Sequence, residues 1–184
     1  DFLKVCKEDK WEVIGVEPSP EARNIAANKN IILTDNIDLL NTKFDIITMW
    51  HVLEHVINLE EYINTLKKLL NKDGILIIAV PNYKSYDANY YKEHWAAFDV
   101  PRHIWHFSKN SISKLFSKVD MNITKIKPMI FDSYYVSLLS EKNKFGTYNP
   151  IKAFIIGFIS NIHGIIKKEH SSPIYIIKNT KKTF

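Results

Sequence analysis

The apolar residues of this chain alternate between short continuous blocks and stretches with helical spacing. The blocks at 13–16, 44–50 and 75–80 are rich in apolar residues along their length, as strands buried on both faces are. Between the last two blocks, apolar side chains recur every three or four residues over 59–70, and residues 71–74 are expected to end that helix. This alternation predicts an α/β fold with a doubly wound parallel sheet that helices cover on both faces.

The rest of the chain predicts shorter elements of the same two kinds. Residues 1–10 read as the later part of an amphipathic helix with Phe2, Leu3, Val5 and Cys6 facing inward. Residues 11–17 contain the first buried strand. The other predictions are helices at 21–28 and 109–118, strands at 31–33 and 123–130, a polar connection or short helix at 35–40, and a last strand at the sheet edge over 173–178.

Two segments depart from this rhythm. Residues 83–107 are rich in aromatic residues and histidine and predict a long irregular segment, which is uncommon in a compact domain unless it is functional. Residues 150–168 predict an apolar helix that caps a pocket, lies in a membrane interface or spans a membrane, although a span needs roughly 20 apolar residues. We interpret 133–168 as a cap or substrate-side insertion within a single domain over 1–184.

Composition narrows the class of protein. With 184 residues, 46% of them hydrophobic and 24% charged, the chain can bury a core without disulfides. The net charge of +5 comes from lysines scattered among acids, so we expect no nucleic-acid partner. Cys6 is the single cysteine and no secretion leader precedes it, so we expect a cytoplasmic protein.

Polar residues follow the predicted strands at the edge where doubly wound sheets bind ligands. Glu17 follows the first block, and its carboxylate can accept both hydroxyl hydrogens of a ribose. Asp35 and Asn36 follow the next strand, where a side chain can bond an adenine amino group, although turns favour the same residue types. The other two strand ends open the segments 50–55 and 83–107.

Four segments resemble class I S-adenosylmethionine-dependent methyltransferases, particularly the group that includes ubiquinone-type O-methyltransferases. VIGVEPS at 13–19 is similar to the family's second-strand motif, FDIITMWHVLEHV at 44–56 to its fourth-strand motif, and KDGILIIAVPN at 72–82 to its fifth-strand motif. FDVPRHIWHFS at 98–108 resembles the segment that follows in one branch. Agreement in order over 13–108 is much harder to obtain by chance than any one match.

The resemblance implies a Rossmann-like, mostly parallel sheet with an antiparallel last strand, S-adenosylmethionine as cofactor, and methyl transfer to a small-molecule acceptor. The cofactor-binding residues implied by matching positions are Glu17 and Pro18 at the ribose, Asp35 or Asn36 at the adenine, and Met49, Trp50 and His51 at the methionine half. The family's first strand and glycine-rich loop would precede Asp1, so we expect this fragment to lack them and to bind cofactor weakly or not at all.

The segment after the fifth strand supplies the candidate catalytic residues. Transfer to oxygen requires an aligned acceptor, exclusion of water and removal of a proton. Histidine has a suitable pKa, so His103 or His106 is the predicted base, and oxygen is the favoured acceptor atom. The predicted substrate-binding residues are Tyr83, Trp95 and Arg102. Alternatively, Arg102 pairs with Asp99 and the histidines bond loop carbonyls.

Three other functions remain open at this stage. HVLEH at 51–55 also matches an inverted zinc-hydrolase pattern through His51, Glu54 and His55, although we expect no bound metal. A nucleotide-dependent oxidoreductase or epimerase would use Glu17 on a ribose, but no Tyr-x-x-x-Lys pair lies inside a predicted helix. A non-catalytic binding module, with peripheral membrane contact through 150–168, is the third.

Overall fold

The computed structural model describes residues 1–180, which form two compact units divided between Lys43 and Phe44. The first unit contains helix α1 (Phe2–Glu8), strand β1 (Gly15–Val16), helix α2 (Pro20–Ala27) and strand β2 (Leu33–Thr34). The two strands pair in parallel, with Gly15 opposite Leu33 and Val16 opposite Thr34. Helix α2 begins where the Ser19 hydroxyl accepts the Ala22 N–H, with Pro20 at its first position.

This unit is more open than its apolar pattern predicted. Trp11 is 53% exposed and lies outside the two-residue strand, so the prediction of a buried strand over 11–17 is wrong in length and burial. Phe2 and Val5 are also more than half exposed, whereas Leu3 and Cys6 are half-buried. A two-stranded sheet with short helices has too little surface to cover every apolar side chain of the unit.

The second unit is a four-stranded mixed sheet with helices. Its strands are β3 (Phe44–Trp50), β4 (Leu70–Ala79), β5 (Met121–Pro128) and β6 (Pro173–Asn179), in the spatial order β3-β4-β6-β5. Strand β3 is parallel to β4, and β6 is antiparallel to both its neighbours. The predicted mixed α/β class, with mostly parallel strands and an antiparallel last strand, is therefore confirmed.

Strand β6 is interior, so its predicted place at the sheet edge is wrong. Tyr175 and Ile177 of β6 are fully buried, because the strand inserts between β4 and β5 and is covered on its faces. Strands β3 and β5 are the outer strands of this sheet. On β3, Ile46 and Trp50 are each 38% exposed, so the prediction of a fully buried strand is also too strong.

Residues 71–74, which the sequence predicts to end a helix, belong to strand β4. Helix α3 (Leu59–Leu69) ends close to the predicted position, but the chain then enters β4 directly at Leu70. Side-chain amides hold this start of the strand: Asn71 donates to Asp45 at 2.7 Å, and Asn179 donates to the Asn71 carbonyl at 3.1 Å. The Asn179 amide also donates to the Lys72 carbonyl at 3.0 Å, so it satisfies two backbone carbonyls of β4, while the Asn71–Asp45 bond joins side chains of β4 and β3.

The segment predicted to be irregular contains a helix. Helix α4 (Tyr86–Tyr91) begins where Ser85 caps its first turn, and two 3₁₀ turns follow at Lys92–His94 and Ala96–Phe98. Next come α5 (Lys109–Ser117), α6 (Asp132–Phe145) and α7 (Pro150–Lys167). The buried members of one apolar cluster joining these parts are Ala88, Tyr91, Trp95, Ala97, Val136 and Ile156. Burial of these side chains against α6 and α7 is what orders the segment.

No helix within residues 1–180 combines the length and apolar character that crossing a membrane requires.

Candidate functional site

His51 lies at the carboxyl end of β3, next to the parallel strand β4. Its backbone N–H donates to the Ala79 carbonyl at 3.0 Å, which continues the strand pairing by one residue. Its φ of 53° is in the left-handed region, where a non-glycine residue costs roughly 1–2 kcal/mol. The chain turns here into a short 3₁₀ turn (Leu53–His55), and that turn carries Glu54 back toward the imidazole.

The imidazole of His51 is bonded to a buried carboxylate. Its Nδ1 lies 3.2 Å from Oε1 of Glu54, a residue with no exposed surface. Because a carboxylate only accepts, Nδ1 carries the hydrogen and Nε2 carries the lone pair in the neutral ring. The other oxygen of Glu54, Oε2, is buried without a hydrogen-bond partner among residues 1–180, so the carboxylate is only partly neutralised.

This arrangement makes His51 more basic than an ordinary histidine. The hydrogen bond to Glu54 raises the pKa of His51, and the negative charges of Asp132 and Glu54 raise it further. Burial of the ring acts in the opposite direction and does not cancel these effects. The imidazole of His51 is thus oriented by the carboxylate of Glu54, which is the arrangement typical of a general base.

His51 opens onto a cleft of about 470 Å³ that is lined by the ends of β3 and β4, the 3₁₀ turn Ala96–Phe98 with the loop after it, and helix α6. Nine of its lining residues have polar or ionisable side chains and five are apolar, so the cleft suits a molecule that has both polar and apolar groups. The lining residues are His51, Pro81, Ala96, Ala97, Asp99, Arg102, His103, Asp132, Tyr135, Val136, Leu139, Lys142, Asn143 and Tyr148.

The two histidines predicted as bases both bond loop carbonyls. Nδ1 of His103 lies 2.8 Å from the Ala97 carbonyl, while its Nε2 lies 4.0 Å from Glu54 Oε1 at the cleft. His106 directs Nε2 at the Phe98 carbonyl, 2.9 Å away, and does not line the cleft. The alternative in which these histidines satisfy the loop backbone is therefore confirmed, and only His103 also faces the cleft.

The three predicted substrate-binding residues lie in different surroundings. Arg102 lines the cleft and forms a two-pronged bond to Asp99 Oδ2, at 2.6 and 2.9 Å, as the alternative interpretation predicted. Trp95 is buried and donates its indole N–H to the buried Asp87 at 2.8 Å, so it belongs to the core. Tyr83 is 39% exposed and, like Trp95, is outside the cleft lining.

In the first unit, two of the predicted cofactor residues lie at the carboxyl ends of the two strands. Glu17 and Asp35 each follow a member of the parallel pair β1 and β2. The Glu17 N–H donates to the Thr34 carbonyl at 2.8 Å, and its Oε1 accepts the Ser19 N–H at 2.9 Å. Oε2 of Glu17 has no hydrogen bond within the described part of the chain. A carboxylate fixed by one oxygen and open at the other fits a ribose hydroxyl.

The neighbouring predicted residues have structural tasks. Arg23 donates to the Glu17 and Pro18 carbonyls, both at 2.7 Å, and so holds the turn after β1. Asn36 accepts the Asp38 N–H at 3.0 Å and caps the 3₁₀ turn Ile37–Leu39. In the second unit, Met49 is 4% exposed and belongs to the core, whereas Trp50 is 38% exposed.

The zinc-hydrolase alternative needed both histidines of HVLEH on one helix. His51 instead ends a strand and His55 ends a short 3₁₀ turn, so that alternative is wrong about the geometry. Within residues 1–180, a different set, Glu54, His55 and His103, brings three metal-compatible donor atoms within 4.8 Å of one another. One atom of each side chain already has a protein partner: His51 for Oε1 of Glu54, the Arg102 carbonyl for Nδ1 of His55 and the Ala97 carbonyl for Nδ1 of His103.

Sequence reasoning missed the importance of Glu54 and Asp132. Glu54 was considered only as part of the zinc pattern, although its position three residues after His51 is the signal that would have identified the pair. Asp132 is 81 residues from His51 in sequence and begins α6, so no local pattern connects them.

Similar folds occur in several solved methyltransferase structures. A possible histamine N-methyltransferase from Thermotoga maritima is 19% identical, with 91% of this chain and 72% of that chain covered and a TM-score of 0.61. A methyltransferase from Archaeoglobus fulgidus is 15% identical, covering 97% and 80%, with a TM-score of 0.62. Magnesium protoporphyrin IX methyltransferase from Synechocystis, with bound S-adenosylhomocysteine, is 15% identical, covering 91% and 64%, with a TM-score of 0.56. At these identities the likeness establishes the fold.

No curated protein sequence is significantly similar to this chain. The sequence profile of the family described as "Methyltransferase domain" matches residues 1–126, which is more than half of the chain. Together with the mixed sheet and the segments that resemble the family's strand motifs, this match identifies the protein: the chain belongs to the S-adenosylmethionine-dependent methyltransferases.

Proposed function

We propose that this enzyme methylates a hydroxyl oxygen of a small molecule with polar and apolar groups bound in the cleft, with His51 as the proton acceptor. The observation that carries the proposal is the contact of His51 with the buried carboxylate of Glu54. The proposed base therefore differs from the predicted His103 and His106, each of which bonds an uncharged carbonyl through one ring nitrogen. The other ring nitrogen of His103 lies 3.8 Å from Asp99 and 4.0 Å from Glu54, beyond hydrogen-bond distance. The chemistry stays the one favoured by the sequence, transfer to oxygen.

S-Adenosylmethionine, when bound, supplies a methyl group activated by its sulfonium. Nε2 of His51 would accept the proton of the acceptor hydroxyl while that oxygen takes up the methyl group that the cofactor would supply. Glu54 stabilises the imidazolium that forms and keeps Nε2 free to receive the proton. The products are a methyl ether or ester, S-adenosylhomocysteine and a proton that His51 later returns to solvent.

We also propose the cofactor contacts that the resemblance implied. Glu17 would bind the ribose through its open oxygen, with Pro18 shaping the turn, and Asp35 would approach the adenine. In the second unit, Trp50 and His51 would line the methionine half. Because Asn36 is used as a cap and Met49 is buried, we assign them supporting positions.

The segment 133–168 is proposed as the acceptor side of the enzyme. Helix α6 contributes Tyr135, Val136 and Leu139 to the cleft wall opposite the loop that carries Arg102 and His103. Tyr135 and Arg102 are the best placed to bind polar groups of the acceptor. A cytoplasmic location stays a prediction.

Calorimetry tests the cofactor first. The complete protein should bind S-adenosylmethionine and S-adenosylhomocysteine and should not bind NAD, which the oxidoreductase alternative requires. Release of S-adenosylhomocysteine should then be measured with panels of phenols, carboxylic acids and amines of similar size. Turnover with amines alone would overturn the oxygen assignment and leave the family assignment intact.

A further inference from the structure

One face of α7 is apolar and open to solvent along its whole length. We call it the outer stripe, and its members are between 36% and 77% exposed: Ile151, Phe154, Ile155, Phe158, Ile159, Ile162, Ile165 and Ile166. These positions recur at three- and four-residue intervals, so they form one continuous band over four turns, about 22 Å long at 1.5 Å per residue. Such a large exposed apolar band marks a surface that binds something apolar.

Packing on the opposite face prevents α7 from turning this stripe inward. At Gly157, a side-chain carbon would lie 2.9 Å from the Cα atom of Tyr134, so the backbones of α6 and α7 touch there. Gly164 makes the same kind of close approach to His170. Ser160 donates to the buried Asp87 at 2.6 Å, and Ser133 donates to the Gly157 carbonyl at 3.2 Å. The small residues and hydrogen bonds fix which face is outward.

The charges around the stripe are cationic. Helix α7 contains no acidic residue, and Lys152 lies near one end while Lys167 and Lys168 lie at the other. The nearby acids are used internally: Glu141 is buried with Tyr91 and Lys152, and Glu169 accepts the side-chain amide of Asn82. Because Lys152 is paired with Glu141 and only 33% exposed, the surface offers an apolar band with exposed lysines, Lys167 and Lys168, at its C-terminal end.

This charge pattern distinguishes between occupants. If a second copy of the chain packed on the stripe with the two helices parallel, Lys167 and Lys168 would meet their own copies. With the helices antiparallel, these lysines would meet no acid, because α7 has none. An anionic lipid surface satisfies both features, since its acyl chains accept the isoleucines and phenylalanines while its headgroups neutralise the lysines.

We propose that α7 lies in the interface of an anionic bilayer, with the outer stripe among the acyl chains and the lysines at the headgroups. The helix is held against α6, whose other side lines the cleft, so the docked enzyme has its acceptor site close to the membrane. The proposal of docking depends only on the stripe and its charges. Delivery of an acceptor from the bilayer depends in addition on the proposed function.

Vesicle flotation with the full chain tests the docking independently of activity. The protein should float with vesicles of phosphatidylcholine and phosphatidylglycerol in equal parts, and much less with phosphatidylcholine alone. The double variant Ile155→Gln, Ile162→Gln should bind at least about tenfold more weakly, because each substitution removes apolar surface that would otherwise be buried among the acyl chains. Lys167→Gln with Lys168→Gln should weaken binding by about fivefold per lysine.

The control for the stripe is Ile25→Gln with Ile57→Gln, which changes two exposed isoleucines elsewhere and should leave flotation unchanged. A Phe158→Trp variant should show blue-shifted fluorescence on anionic vesicles and quenching by brominated lipid. Absence of flotation, equal flotation with neutral vesicles, or flotation that survives the stripe variant would each overturn the proposal. So would light scattering that shows a dimer which the stripe variant dissociates while vesicles bind neither protein.

Discussion

His51 and His106 both lie in segments that follow predicted strand ends, but their imidazoles have different kinds of hydrogen-bond partner. His51 bonds a buried carboxylate, and its pKa is raised by that contact. His106 bonds an uncharged backbone carbonyl at the surface and packs its ring against Phe98. A carbonyl orients an imidazole without placing a full negative charge beside it. The partner of a histidine, more than its presence in a promising segment, decides whether it can serve as a base.

The sharpest break of this comparison is His51→Asn. Asparagine tolerates the left-handed backbone at this position but cannot accept a proton at Nε2. With an oxygen acceptor, kcat should fall about 100-fold or more. The matched His106→Asn variant should keep kcat within about twofold, because the residue it changes does not line the cleft. Release of S-adenosylhomocysteine measures both, and equal losses in the two variants would contradict the assignment.

Glu54→Gln should change the pH dependence of turnover. A base must be neutral to act, so kcat of the unmodified enzyme should rise as pH increases through a His51 pKa above its ordinary value of 6.5. Glutamine removes the negative charge and should move this rise to lower pH. An NMR titration of the His51 ring, together with the kcat profile, reports the shift. An unchanged midpoint in both measurements would show that Glu54 does not act through His51.

Trp95→Phe should affect stability and not chemistry. The substitution leaves Asp87 without one of its donors in the core, which costs about 1–3 kcal/mol in the free energy of unfolding. Trp105→Phe is the control, because the Trp105 indole donates to Val56 at the surface and its loss should cost less. Urea unfolding measures the difference. A lower kcat in fully folded Trp95→Phe would restore the substrate role predicted from sequence.

Arg102→Gln should have the smallest effect on stability. The guanidinium is 76% exposed in its pair with Asp99, and exposed ion pairs contribute little to folding. The thermal unfolding midpoint should therefore remain that of the unmodified protein. If Arg102 binds the acceptor, KM should rise while kcat stays constant. Unchanged KM for every acceptor would remove Arg102 from the proposed site.

Much of the fold could be predicted from periodicity. Helix α3 and strands β3 and β4 appear close to their predicted positions, because long apolar repeats are strong local signals. Helix α4 was missed because it has six residues, and the burial that stabilises it comes from Val136 and Ile156 on distant helices. The interior place of β6 also depended on pairing with residues more than 90 positions away.

The candidate site was predicted in part. The rule that ligands bind at the carboxyl ends of parallel strands, together with the resemblance, led to His51, Arg102 and His103. All three line one cleft. Trp95 and His106 were chosen for their residue types within the segment after the fifth strand, and the structure gives their polar atoms to Asp87 and the Phe98 carbonyl. Glu54 was visible in the sequence, but its burial and orientation were not.

Most of the strands, several helices, the family and its cofactor follow from the sequence itself, because apolar periodicity and ordered motifs are local properties of the chain. The tertiary structure alone decided which histidine faces a charge and which face of α7 remains open. Both outcomes depend on contacts between distant residues, such as Asp132 beside His51 and Tyr134 against Gly157. Electrostatics and burial act through space, so they are decided only when the chain has packed.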